Sequence, residues 1–314
     1  MAERRILALV LAVVVAASCG PRGPKGAPVQ ATREFPYIEV PDMYEEPDER
    51  VDYFLTHFWD KFLKNEPVYQ TDTVVFNGVP KDELEQAMGT FVSVLRSAEN
   101  GAKAMPVLHE ELCVYDAARG DGVYDEMCRL VEKYLYNPSS PVRDEELYLP
   151  FISAKVDAGR GTASDKFAAK VCALNRPGTK AADFGFIDTK GRRRTLHGIK
   201  ADFMILIFGN PDCEACREMV EYFDAVEGLN DAVRSGRVSI VDVYTDEDLS
   251  AWKAGIDNYP SNWLCGYDPE GIINSNTIYA VRAVPSVYIL DKDKKVIAKD
   301  IETSALDYYL SQVL

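Results

Sequence analysis

Phe203-Met204-Ile205-Leu206-Ile207-Phe208-Gly209-Asn210-Pro211-Asp212-Cys213-Glu214-Ala215-Cys216 is the stretch that decides the fold. Its first six residues are apolar and of strand length, and an unbroken apolar run predicts a strand covered on both faces of a sheet. Gly209 to Asp212 is turn chemistry. The Cys-x-x-Cys then opens a helical pattern through Met219, Val220, Phe223 and Val226. Cys213 is thereby expected at a helix N-terminus, with Cys216 one turn inside. Unpaired amide N–H groups and the positive end of the helix dipole stabilise a thiolate there. Two intervening residues let the second sulfur resolve a mixed disulfide made by the first. Zinc sites also use Cys-x-x-Cys, but a structural site needs two further ligands at recognisable spacing. A second Cys pair is absent, and although Cys265 and His197 could be conscripted as further ligands, no metal is expected. The redox group would be the Cys213–Cys216 disulfide itself, without a separate cofactor.

Downstream, a strand from Val238 to Tyr244 follows Gly236, and a region of helix and loop holds Leu249, Trp252, Trp263 and Tyr279. Ser286 to Leu290 reads as a strand, Asp291 to Lys294 as a hairpin, Lys295 to Ala298 as another strand, and a last helix starts near Ser304. Upstream, Phe184-Gly185-Phe186-Ile187 alternates as a strand before the turn Thr189-Lys190-Gly191, with Thr195 to Ile199 leading onward. Strands and helices in this order predict an α/β domain.

Residues 181–314 resemble the thioredoxin fold in its TlpA/ResA-type version. The resemblance is carried by Asp183-Phe184-Gly185-Phe186, by Phe208 to Cys216, and by Ala283-Val284-Pro285-Ser286-Val287-Tyr288-Ile289-Leu290-Asp291. It implies a thiol-disulfide oxidoreductase in which Cys213 attacks a substrate disulfide and Cys216 resolves it. It also implies that Pro285 is cis and faces the disulfide, and that the Val284 backbone pairs with the substrate chain. Three departures matter. Asp212 stands where the family usually has Trp, neither residue between the cysteines is His, and Met219 occupies the position where some relatives carry a buried acid. Glu218, one position short, is the candidate for assisting proton transfer, against the plainer reading of a surface acid. Asp212 and Glu214 are expected to destabilise the Cys213 thiolate and favour the disulfide form, which points to a reductase or isomerase rather than a strong oxidant.

Residues 35–175 have helical periodicity and are expected to form an all-α domain. Asp48 is the expected cap of a helix carrying Val51, Phe54, Leu55, Phe58, Trp59 and Phe62; Pro80 opens a second helix, and four more follow up to about Leu174. The stripe around Trp59 reads as core. His57 and His109 have no metal-ligand spacing. Cys113 and Cys128 lie on successive helices, where burial as small hydrophobes is expected ahead of a disulfide. This half is similar to the domain of unknown function that precedes thioredoxin domains in Bacteroidetes envelope lipoproteins, which assigns it no chemistry.

At the N-terminus, Arg4 and Arg5 precede twelve apolar residues, Ile6 to Ala17. Such a helix is about 18 Å long, short of a hydrocarbon core of roughly 30 Å. A charged start, a short apolar run and small residues describe a signal peptide over 1–18. Ala16-Ala17-Ser18-Cys19 resembles the lipobox of bacterial lipoproteins, with Ala16 where Leu is usual, and implies lipidation of Cys19. The Pro/Gly-rich stretch 19–34 reads as a flexible tether. The expected location is the cell envelope, on the periplasmic face of the outer membrane.

The whole chain has 314 residues and a net charge of −15. That length suits two domains. An acidic balance argues against nucleic acid, which needs clustered cations. The partners expected are protein thiols and disulfides of the envelope, an unidentified electron donor, and the membrane through the lipid anchor. The competing reading is a non-catalytic binding or scaffold lipoprotein that uses the C-terminal domain for docking.

Overall fold

The computed structural model describes residues 32–64, 68–299, 301 and 303–311. The expected signal peptide, Cys19 and most of the tether lie outside the described residues. Arg33 already belongs to the fold, ahead of the expected start at 35: its backbone N–H bonds the Gly78 carbonyl at 2.8 Å.

The first domain contains α1 (Pro47–His57), α2 (Asp60–Leu63), α3 (Lys81–Ser97), α4 (Ala104–Arg119), α5 (Val123–Leu135), α6 (Glu145–Asp157) and α7 (Ala163–Cys172). The single helix expected across Val51 to Phe62 is split at Phe58 and Trp59. Asp48 lies inside the first turn instead of capping it, because Pro47 takes the first helical position. The domain is not all-α. Strands β1 (Val75–Phe76) and β2 (Val79–Pro80) form an antiparallel ribbon around Asn77-Gly78, whose φ angles of 45° and 80° are those of a type I′ turn. Asn-Gly between apolar pairs is a strong hairpin signal that helical periodicity masks. Phe58, Trp59, Phe62 and Phe91 are buried in one aromatic cluster, with Phe58 and Phe91 centroids 5.3 Å apart. His109 is a satisfied core residue, its Nε2 3.0 Å from the Tyr124 hydroxyl. Cys128 is buried, Cys113 is half-buried, and both are free thiols.

The second domain runs β3 (Gly185–Asp188), β4 (Arg193–Thr195), β5 (Phe203–Phe208), α8 (Glu214–Ala225), α9 (Leu229–Arg234), β6 (Val238–Tyr244), α10 (Leu249–Gly255), β7 (Leu264–Tyr267), α11 (Ile272–Ser275), β8 (Ser286–Asp291), β9 (Val296–Lys299) and α12 (Thr303–Leu310). The sheet order is β4-β3-β7-β6-β5-β8-β9. β5 is an interior strand, flanked by β6, to which it is parallel, and by β8, to which it is antiparallel. Its residues alternate as expected for a doubly covered strand: Ile205 and Ile207 pack with Met219, Val220 and Phe223, while Met204, Leu206 and Phe208 pack with Phe184, Tyr279 and Tyr288. Strand β7 falls where helix and loop were expected. Leu264-Cys265-Gly266-Tyr267 has no β-branched residue, and Gly266 is needed for contact: a Cβ there would lie 2.5 Å from the Ile187 carbonyl oxygen.

The two domains meet through buried charge. Glu145, at the start of α6, pairs with Arg282 and, at 2.7 Å, with Lys299; the Glu145 and Lys299 side chains are each 4% exposed. Lys299 Nζ also donates to the Cys172 and Leu174 carbonyls at 2.8 and 3.1 Å. Arg282 lies 4.2 Å over the Tyr136 ring and donates to the Tyr136 carbonyl at 2.5 Å.

Candidate active site

Cys213 takes the N-cap position of α8 and Cys216 lies in its first turn. The loop before them is held by Asn210. Its side-chain oxygen accepts from the Asp212 N–H at 2.9 Å, its carbonyl accepts from the Cys213 N–H at 3.0 Å, and its side-chain nitrogen donates to Asp246 at 2.8 Å. The Asn210 backbone N–H points at the Cys216 sulfur, 3.4 Å away. Pro211 is buried against Gly255, where a Cβ would lie 2.3 Å from the proline ring.

The two sulfurs differ in access. Cys213 is half-buried, whereas Cys216 is 1% exposed. The Cys213 thiol faces the Val284 carbonyl oxygen at 3.6 Å, and the Val284–Pro285 peptide bond is cis. The structure therefore brings together Cys213, Cys216, Val284 and Pro285. Burial pushes the Cys216 thiol well up, and the neighbouring Cys213 sulfur and Asp242 add to it; the Asn210 N–H opposes them. The inner sulfur is thus a poor thiolate until a group beside it takes its proton.

Asp242 is the group that sequence reading missed. It is 1% exposed on β6, in register between Ile207 of β5 and Cys265 of β7. Strand alternation turns it to the face of Ile240 and Ile207, toward α8. Its Oδ2 has no hydrogen-bond partner among the described residues. Burial holds its carboxyl up to about 8. Tyr259 lies in the electrostatic reach of Asp242, Cys216, Cys265 and Cys213, and burial raises its hydroxyl also. The available signal was the one acid in the mainly apolar strand Val238 to Tyr244, at an inward position.

Glu218 and Met219 separate as their chemistry predicts. Met219 is buried under α8, while Glu218 is exposed. Glu218 lines a cavity of about 340 Å³ beside Pro285, away from the buried side of Cys216 where Asp242 sits. Asp212 and Glu214 are exposed at the mouth of the site. Among the described residues no three His, Cys, Asp or Glu side chains are grouped to hold a metal ion.

The family described as a domain of unknown function, DUF5106, matches residues 16–167. The structure is similar to that of a thioredoxin-like protein from Bacteroides caccae ATCC 43185, at 26% identity, with a TM-score of 0.78 over 90% of this chain and 99% of that one. The C-terminal domain of an uncharacterized protein from Bacteroides fragilis NCTC 9343 is 35% identical over 44% of this chain and 98% of its own, with a TM-score of 0.42. The thioredoxin domain of a thiol-disulfide oxidoreductase from Bacteroides vulgatus is 23% identical over 44% and 99%, with a TM-score of 0.40. No curated protein matches the sequence.

Proposed function

Because this chain belongs to the thioredoxin-like proteins, with a domain of unknown function ahead of the thioredoxin fold, we propose that it is a thiol-disulfide oxidoreductase of the cell envelope, anchored by lipid on Cys19. The observation that carries the reading is the asymmetry of the cysteine pair: one accessible sulfur at a helix N-terminus beside Val284, one buried sulfur behind it against an acid.

The Cys213 thiolate attacks a substrate disulfide, forming a mixed disulfide and releasing one substrate thiolate. Cys216 then attacks the Cys213 sulfur, which releases the second substrate thiol and leaves the Cys213–Cys216 disulfide. Asp242 takes the Cys216 proton in this step and returns it in reverse. The Val284 backbone and Pro285 position the substrate strand. Two electrons pass to the substrate in each cycle, so a dithiol donor must re-reduce the pair. The cell-envelope location and the lipid anchor rest on residues 1–19; no helix of the described residues is long and apolar enough to cross a membrane.

The test is a pair of variants of the soluble chain. Cys216→Ser should accumulate a mixed disulfide with a protein disulfide substrate, detected by mass, and Cys213→Ser should accumulate none and lose turnover. Full turnover in Cys213→Ser would favour the scaffold reading instead.

A further inference from the structure

The loop that brings Val284 and Pro285 to Cys213 is weakly held by its own domain. Residues 279–285 lie outside helix and strand, and among the described residues no backbone–backbone hydrogen bond fixes them. Side chains hold them instead. Within the thioredoxin domain, Ser286 Oγ donates to the Ala283 carbonyl at 2.7 Å and the Tyr279 hydroxyl to the Ala182 carbonyl at 2.6 Å. The other holds come from the helical half. Asn175, at its end, donates to the Ile278 carbonyl at 2.8 Å. Arg282, two residues before Val284, pairs with Glu145 and donates to the Tyr136 carbonyl at 2.5 Å, with its guanidinium 4.2 Å over the Tyr136 ring. Tyr136 is itself stacked on Tyr148, ring centroids 4.7 Å apart. A planar guanidinium held at once by a carboxylate, a carbonyl and a ring has little freedom, and it restricts the backbone that follows.

We propose that the helical domain positions the Val284–Pro285 loop for disulfides carried on extended polypeptides, with Arg282 as the positioning residue and Glu145 and Tyr136 as its seat. The inference rests on the oxidoreductase reading of the same site. A substrate chain that pairs with the Val284 backbone needs the loop in one place. A loop that visits other positions lowers the apparent affinity by the fraction of time it is competent. A small disulfide needs only the Cys213 sulfur and does not sense the loop. Lys299 supplies the contrast. It is the second cation on Glu145, but it sits in β9 with Tyr288 of β8 as its register partner, so the ladder fixes its backbone whatever its side chain does. Removal of either cation leaves Glu145 one partner and weakens docking; only removal of Arg282 also releases the loop. Linkage runs both ways, so a clamp that favours substrate binding is tightened by bound substrate to the same degree.

The experiment uses the pre-reduced soluble chain in single turnover against hydroxyethyl disulfide and the symmetric disulfide of the peptide Ala-Ala-Cys-Ala-Ala. Each reaction moves two electrons from the Cys213/Cys216 dithiol, releases two substrate thiols and leaves the protein disulfide. Wild type, Arg282→Met, Arg282→Lys and Lys299→Met are compared by the ratio of second-order rate constants, peptide over hydroxyethyl disulfide. The expected ratio is about tenfold lower in Arg282→Met, partly restored in Arg282→Lys, and within about twofold of wild type in Lys299→Met. The loss should fall on the half-saturating peptide concentration rather than on the limiting rate. Equal losses in Arg282→Met and Lys299→Met would show a general effect of docking and overturn the inference, as would a wild-type ratio in Arg282→Met; both leave the oxidoreductase reading standing. A wild-type chain that reduces neither disulfide overturns both. A second measurement needs no substitution at the clamp. In Cys216→Ser, amide hydrogen exchange across 136–145 should slow when the peptide is held on Cys213 as a mixed disulfide, and exchange unchanged by the peptide overturns the inference even where the Arg282 variants fail to fold.

Discussion

Gly209 turns its Cα onto the carboxylate of Asp242: a Cβ at position 209 would lie 2.5 Å from Oδ2. The glycine just after β5 is therefore a requirement of the buried acid on the neighbouring strand. It lets the backbone that leads to Cys213 pass over Asp242 without displacing it.

Gly209→Ala should cost about 1–3 kcal/mol, the range for forcing extra atoms into a packed interior. Gly209→Ala combined with Asp242→Ala should recover part of that cost, with a coupling above about 0.5 kcal/mol. Urea midpoints of the four proteins in the cycle measure it. Additive effects would mean that the two residues do not press on each other.

Asp242 should make stability depend on pH. With its carboxyl held up to about 8 by burial, the native state keeps a proton that the unfolded chain loses above about pH 4. The native state then binds more protons than the unfolded one across this window, so stability is fullest below about pH 4 and falls as pH rises toward 8. The limit is about 5 kcal/mol at 1.36 kcal/mol per pH unit. Asp242→Asn should flatten this slope and slow resolution of the mixed disulfide by about a hundredfold. Denaturation at pH 5 and pH 8 reads the first effect and rapid-quench mass analysis the second. A wild-type slope that survives in Asp242→Asn would show that another group is responsible.

Glu145 pairs with two cations, Arg282 and Lys299, in a largely buried site. Glu145→Gln leaves Arg282 and Lys299 facing each other without their carboxylate, and removal of one partner from a buried ion cluster costs about 3–5 kcal/mol. Calorimetry should show a lower Tm, and limited proteolysis should cut faster between the domains, near Asn175. An unchanged Tm would mean that the cluster contributes nothing to docking.

The acids at the mouth, Asp212 and Glu214, should keep the Cys213/Cys216 couple reducing. Equilibration against dithiothreitol with thiol counting by mass should give a potential between about −300 and −200 mV. A value near −120 mV would place the pair among strong oxidants and reject the argument from these acids.

Much of the architecture was legible because its signals are local. The apolar run Phe203 to Phe208, the turn and the Cys-x-x-Cys lie within fourteen consecutive residues, so strand, loop and helix start follow one another without any tertiary information. The stripe Leu84, Met88, Phe91, Val92 and Leu95 likewise specifies α3 and its buried face. The ribbon at Asn77-Gly78 was also written locally, and was lost only because its strands are two residues each.

What the sequence by itself determined, then, is the order of elements, the α/β character of residues 181–314 and the position of the two sulfurs on one helix, since each depends on residues a few positions apart. The tertiary structure alone decided which acid faces the inner sulfur and what stands across from the outer one. Asp242 reaches Cys216 only because β6 pairs in one register beside β5, and a shift of a single residue would turn it to the opposite face. Arg143 lines the cavity beside Pro285 only because the two domains pack together, where Glu145 pairs with Arg282 and Lys299. Both are consequences of contacts between residues far apart in the chain, which no local pattern encodes.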